Sequence, residues 1–175
     1  MSFDLTIFGD AAPFLRMSDE KRMEIMAKQI AMTKTVGGAK AVWCPTPENS
    51  ELQYTKGKLT EAKNGLVFVV RDDNGQKVKM SEDDVQECNP PKYYQCEDMA
   101  NLTFLNEASV IDVLRTRYEQ FLIYTYSGLF CVTVNPYKML PVYQPYVIDA
   151  FRGRKVNSLK QYNQSSEMTH PMTHP

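Results

Sequence analysis

Residues 123–143 read IYTYSGLFCVTVNPYKMLPVY. Two β-rich runs, Leu122 to Tyr126 and Leu129 to Val134, flank Ser127-Gly128, and this spacing predicts a tight hairpin. The second strand ends at Val134 and turns sharply at Asn135-Pro136. A loop placed there lies at the carboxyl edge of a sheet, where ligands bind in open α/β folds. Asn135 offers an amide donor and acceptor, Tyr137 a flat face for a base, and Tyr143 a phenol. Pro136 and Pro141 stiffen the backbone and lower the cost of ordering the loop. On these residues alone, Asn-Pro is usually just a turn.

Working back from the hairpin, Asn106 caps a predicted helix over 107–118. Val110, Val113, Leu114 and Tyr118 share one face of it, and Arg115 and Arg117 fall on the solvated side. Asn89-Pro90-Pro91 forms a rigid connector. Before it the periodicity is that of strands. Ala41 to Cys44, Leu52 to Thr60 (with a bulge at Gly57), Leu66 to Val70, Lys77 to Met80 and Val85 to Cys88 are the predicted strands. Asp72-Asp73-Asn74-Gly75 supplies the turn between the third and fourth. Five short strands in so few residues fit a small closed barrel, with Trp43, Val67, Val69, Val78 and Val85 pointing inward. Further back, Ser18 caps a helix over 19–31 whose Met23, Met26 and Ile30 form a packing stripe, and Gly37-Gly38 ends this arm. Residues 1–17, around a Gly-Asp-Ala-Ala-Pro turn, read as a segment lying along another surface rather than as an element.

Composition narrows the function. A net charge of −1 gives no electrostatic drive toward nucleic acid or an anionic membrane. No apolar run reaches the ~20 residues of a spanning helix, and the N-terminus lacks the pattern of a signal peptide, so a cytoplasmic protein is expected. Both histidines, His170 and His174, lie at the far end, which removes Ser-His-Asp and Cys-His catalysis from the rest. Cys44, Cys88, Cys96 and Cys131 lack C-x-x-C spacing and read as reduced thiols packed as small hydrophobes. Asp72-Asp73 and Glu82-Asp83-Asp84 are solvated turns without a calcium-loop pattern. No Gly-x-x-x-x-Gly-Lys-Ser/Thr occurs, and Gly37-Gly38-Ala39-Lys40 precedes a strand, where a phosphate loop must follow one. No catalytic or metal-binding set emerges.

Several motifs carry a resemblance. VNPYKMLPVY at 134–143 resembles the adenine-side loop of the myosin motor domain, and IYTYSGLFCVTV the strand pair leading into it. NPPKYYQCEDMANLTFLNEASV at 89–110 is similar to conventional myosins, and FGDAAPFLR at 8–16 to the sarcomeric N-terminus. Residues 1–155 thus resemble the amino-terminal part of a muscle-type (class II) myosin heavy chain. The resemblance implies an α+β chain. A 1–38 arm precedes a Src-homology-3-like barrel at 39–88, and an incomplete start of the α/β motor domain follows at 89–155. It implies an ATP pocket whose adenine side is formed by Asn135, Pro136, Tyr137, Lys138 and Tyr143, with the Tyr143 phenol reaching the adenine amino group. Met139 stands where skeletal myosins commonly have tryptophan.

For the whole family the resemblance implies ATP with Mg2+, actin filaments, myosin light chains and the sarcomere thick filament. No nucleic-acid or membrane partner is expected. Residues 156–175, VNSLKQYNQSSEMTHPMTHP, read as a disordered tail outside the family, translated from beyond an exon boundary. His170 and His174 are separated by Pro171, which argues against a helical metal pair there. With the phosphate loop, switch loops and actin-binding surface absent from the sequence, the chain is expected to be inactive alone. The contrasting expectation is a non-enzymatic interaction module built on the barrel and the helix at 19–31. For the hairpin, the expectation is an orphan pair with both edges and one apolar face uncovered, exposing Leu122, Tyr124, Leu129, Cys131 and Val134.

Overall fold

A computed structural model describes residues 5–34, 40–47 and 50–152. In chain order the helices are α1 (Ala12–Leu15), α2 (Asp19–Lys34), α3 (Glu107–Tyr118) and α4 (Pro145–Phe151). The strands are β1 (Ala41–Pro45), β2 (Tyr54–Lys63), β3 (Leu66–Arg71), β4 (Lys77–Ser81), β5 (Gln86–Glu87), β6 (Tyr124–Ser127) and β7 (Phe130–Thr133). They fall into two compact units: Ser18–Pro136, and Met1–Met17 with Tyr137–Pro175 so far as these are described. Gly37 and Gly38 lie outside the described residues, as does everything after Arg152.

The larger unit opens with α2, whose first turn carries Asp19 and Glu20 and whose Lys21 amide donates to Ser18 Oγ, as the capping signal predicts. The helix runs three residues past the expected end at 31. An antiparallel sheet of order β4-β3-β2-β1-β5 follows. Its two outer strands are joined by only the 3-10 turn Glu82–Asp84 and Val85. Laid flat, five strands would separate those edges by roughly 19 Å, at about 4.8 Å per gap. A connection containing a 3-10 turn at ~2 Å per residue spans only about 12 Å. The sheet must therefore roll, and the roll encloses Val42, Cys44, Val67 and Val69, with Leu59, Met80 and Val85 against them.

Three expectations about this barrel are corrected. Trp43 is buried but lies outside the core cluster: Val42 and Cys44 face inward, so alternation turns Trp43 to the other side. There Lys56, its cross-strand partner, sits 4.8 Å from the indole centroid. Val78 pairs with Val69 but is only half-buried on the edge strand. Gly57 is not a bulge, because the register irregularity falls between Leu59 and Glu61. Gly57 is there because a Cβ would come within 2.5 Å of Val69 Cγ1 and 2.9 Å of the Val70 carbonyl oxygen. The turn at 72–75 forms as expected. An Asn64-Gly65 turn (φ 55° and 74°) also closes β2 on β3 in the left-handed geometry of tight hairpins.

The second layer of this unit is α3 against β6 and β7. Cys96, Met99, Leu102 and Val113 form its core, with Tyr93, Val110, Leu114 and Val132 packed on them. The Asn106 side chain accepts from the Ser109 amide at 2.9 Å, so α3 starts where its cap predicts. Arg117 overturns the expectation of a solvated position, being 3% exposed. It donates from Nε to Thr125 Oγ1 (3.0 Å), from Nη1 to the Gln95 carbonyl (3.1 Å) and from Nη2 to the Tyr124 carbonyl (2.8 Å). The hairpin is not an orphan either. Leu122, Ile123 and Thr125 are buried, the Tyr126 amide donates to the Glu97 carbonyl, and Asp98 bridges Tyr126 in parallel. Asp98 Oδ1 also accepts from the Gly128 amide, fixing a turn whose central residues are Gly128 and Leu129. Of the five residues expected in the open, Leu129 and Cys131 are exposed, Tyr124 and Val134 are partly covered, and Leu122 is buried.

In the smaller unit, residues 5–15 form elements after all: a 3-10 stretch over Leu5–Ala11 kinked at Gly9, then α1. Phe8, Ala11 and Val147 are its buried cluster, and the Phe8 and Phe151 rings lie 5.1 Å apart. The Tyr146 hydroxyl donates to Asp10. The N-terminal segment thus folds against α4, about 140 residues further along the chain, as the Tyr146–Asp10 bond with its separation of 136 shows.

Two substitutions test this packing by chemical denaturation. Gly57→Ala forces a methyl against β3 and should destabilise the chain by about 1–3 kcal/mol, whereas a bulge glycine would tolerate it. Arg117→Leu strands three buried acceptors and should cost roughly 3 kcal/mol or more. A surface arginine would lose less than about 0.5 kcal/mol.

Candidate functional site

Strand β7 ends at Thr133, and the Val134 amide still donates to the Ile123 carbonyl before the chain leaves the sheet. The Asn135 carbonyl accepts from the Tyr118 hydroxyl of α3 at 3.4 Å. Asn135 is exposed and Pro136 half-buried, and with them the larger unit ends. Tyr137 begins the second stretch of the smaller unit. It holds a φ of 47°, a left-handed conformation that an aromatic residue seldom adopts, and is 91% exposed. Lys138 and Met139 are exposed, Leu140 and Val142 are buried, and the 3-10 turn Pro141–Tyr143 leaves Tyr143 53% exposed. Leu140 and Val142 are therefore the anchors of this stretch, and the rings of Tyr137 and Tyr143 stand outward. The five residues read from sequence as one loop belong to both units, Asn135 and Pro136 to one and Tyr137, Lys138 and Tyr143 to the other.

The side chains of these residues supply an amide, two phenols and an ammonium. The set contains no carboxylate and does not fit Mg2+, a hard cation that takes oxygen ligands. Among the described residues no group of three or more His, Cys, Asp or Glu side chains could hold a metal ion. No described helix is long and apolar enough to cross a membrane.

Sequence reasoning missed the residues that join the barrel to the start of α3. Asn89, read as part of a stiff connector, acts as a side-chain clamp. Its Nδ2 donates to the Phe104 carbonyl (2.8 Å) and Ser109 Oγ (2.9 Å), and its Oδ1 accepts from the Phe104 amide (2.8 Å). Asn106 donates from Nδ2 to the Glu87 carbonyl at 2.9 Å while capping α3, and Gln86 Oε1 accepts from the Ala108 amide at 3.1 Å. Tyr54 donates to Glu107 at 3.0 Å, and Lys56 pairs with Asp112 at 3.5 Å. Only the capping role of Asn106 had a local signal; the other partners are far away in sequence.

The comparison with protein families follows this division. The family model of the myosin N-terminal SH3-like domain matches residues 28–89, and that of the myosin head (motor domain) matches residues 96–169. This chain belongs to the myosin family. The rolled sheet is the SH3-like domain of that family, and α3, the β6–β7 hairpin and the loop after it are the start of its head. The Asn89-Pro90-Pro91 connector falls at the gap between the two matches. The head match runs past Lys155 to residue 169, across most of the stretch read from sequence as a foreign tail; those residues lie outside the described ones.

The thiols of this myosin chain are unequal. Burial pushes Cys88 up to about 12 and Cys96 up to about 11, and it raises Cys44 as well. Cys131 departs from the expectation of packed thiols and is exposed on β7. The thiolate is the reactive species, so burial holds back Cys44, Cys88 and Cys96, while Cys131 is accessible to a reagent. Labelling the native chain with a thiol reagent at pH 8 should modify Cys131 first, with the other three reacting only on unfolding. Rapid modification of Cys88 or Cys96 would contradict this packing.

Proposed function

We propose that this chain supplies the N-terminal domain and the adenine side of the ATP site of an actin-based motor of the muscle (class II) type. The carrying observation is the Asn135-Pro136-Tyr137-Lys138 and Tyr143 pattern, lying inside the head match with the Tyr137 and Tyr143 rings exposed. In this reading Tyr137 offers its face to the base, Tyr143 reaches the exocyclic amino group, and Asn135 contributes its amide. Met139, 89% exposed, would give less ring contact than the tryptophan common in skeletal relatives. Phosphoryl transfer rests on groups that cradle the phosphates and Mg2+, and the sequence contains no phosphate-binding loop. An adenine-side loop contributes binding without stabilising the transition-state charge. Actin filaments, light chains and the sarcomere thick filament are partners and place of the whole motor in this proposal.

The purified chain should release no phosphate from ATP above a buffer blank, with or without actin filaments. Actin-stimulated release would show that phosphate-handling groups had been overlooked. Millimolar ATP should shift the amide resonances of Tyr137, Lys138 and Tyr143, and adenosine should do the same because the base carries the contact. Shifts with inorganic triphosphate but none with adenosine would remove this loop from the adenine side.

A further inference from the structure

Two consecutive residues in the last turn of α3 reach both ends of the β6–β7 hairpin. Arg117 holds β6 through the Thr125 hydroxyl and the Tyr124 carbonyl, and its own carbonyl accepts from the Leu122 amide. Tyr118, the final residue of the helix, accepts at its carbonyl from the Phe121 amide. Its hydroxyl donates to the Asn135 carbonyl at 3.4 Å, just past the end of β7. Tyr118 stands four residues beyond Leu114, which packs on the α3 core, so its ring is half-buried while the hydroxyl comes out at the hairpin's exit.

We propose, on the adenine reading of the loop after β7, that Tyr118 is a positioning residue for that loop. Its hydroxyl sets the direction in which Asn135-Pro136 carries Tyr137 away from the sheet. The sequence at the exit leaves little else to do this. Asn135 precedes a proline, so its backbone is confined to extended conformations. Pro136 has a fixed φ and no N–H, so no backbone hydrogen bond donated from that residue can hold the turn. Much of the remaining freedom is rotation of the peptide plane between the two, and the Asn135 carbonyl marks its orientation. The last ladder bond, from the Val134 amide to the Ile123 carbonyl, ends one residue short of it. Tyr137 follows with a φ of 47°, a strained conformation for a residue other than glycine, which persists only where the surrounding structure holds it. Further along the chain Leu140 and Val142 are buried, and before Tyr137 the Tyr118 bond supplies the restraint.

Tyr118→Phe keeps the ring and removes the donor, which separates positioning from packing. In the full chain without nucleotide, the Asn135 carbonyl-carbon resonance should move upfield and the Tyr137 and Lys138 amides should shift with it. Thr125 and Val132 should stay where they are. Adenosine affinity, titrated on the same amides, should fall roughly threefold to tenfold, the reach of one such bond. Unmoved Asn135 and Tyr137 resonances in the variant would overturn the proposal. Adenosine that shifts nothing in the unaltered chain sinks the adenine reading and the positioning role together, whereas adenosine bound equally well by both chains sinks the positioning role alone. If the variant does not fold, the unaltered chain decides. Exchanging the Tyr118 hydroxyl proton for deuterium should then produce an isotope shift at the Asn135 carbonyl carbon, and its absence defeats the idea.

Discussion

Arg117 donates to three acceptors that come from two places: the Gln95 carbonyl before α3, and the Tyr124 carbonyl and Thr125 hydroxyl of β6. A buried guanidinium tolerates little slack, because an unmet donor or acceptor in the interior costs about 1–3 kcal/mol each. Burial also depresses its pKa, with the Glu97 charge opposing that shift. Helix α3, the 95–98 segment and β6 are thereby held to one arrangement. Once β6 is placed, its Tyr126 amide and Tyr124 carbonyl have their partners in the Glu97 carbonyl and Arg117.

The same unit is tied at its other end by side-chain amides. Asn89, Asn106 and Gln86 each bond backbone across the gap between the SH3-like sheet and α3. Backbone groups at helix starts and connector bends need partners, and these amides supply both donors and acceptors. The connector between the two family matches is therefore held by polar bonds as well as by its prolines. The loop after β7 is held differently: Leu140 and Val142 are anchored as apolar side chains, and the aromatic rings beside them stay outward.

Much of the local structure was legible. Ser18 and Asn106 marked their helix starts, the 72–75 turn joined the strands it was expected to join, and period-2 runs located the barrel. These signals are short-range, so a sequence carries them whole. What misled was phase and partner. Trp43 in a Val-Trp-Cys run has to face one way, and only the cross-strand register with Lys56 settles which. Gly57 looked like a bulge because a strand glycine usually is one, but its reason is the Val69 methyl from the next strand. Arg117 sat off the apolar stripe, and nothing within a few residues reveals the carbonyls that bury it.

By itself the sequence determined the family, through the motifs at 89–110 and 134–143, and the kinds of element, through caps, turns and periodicity. It also determined the residue types available in the loop after β7. The tertiary structure decided that Phe8 packs with Val147 and Phe151, which one stretch could not announce to another so far away. It decided too that the β6 side of the hairpin meets Glu97 and Arg117. The physical reason is common to both. Hydrophobic periodicity records that a face is buried, but hydrogen-bond partners and packing neighbours come from wherever the chain returns, and only the folded chain specifies where that is.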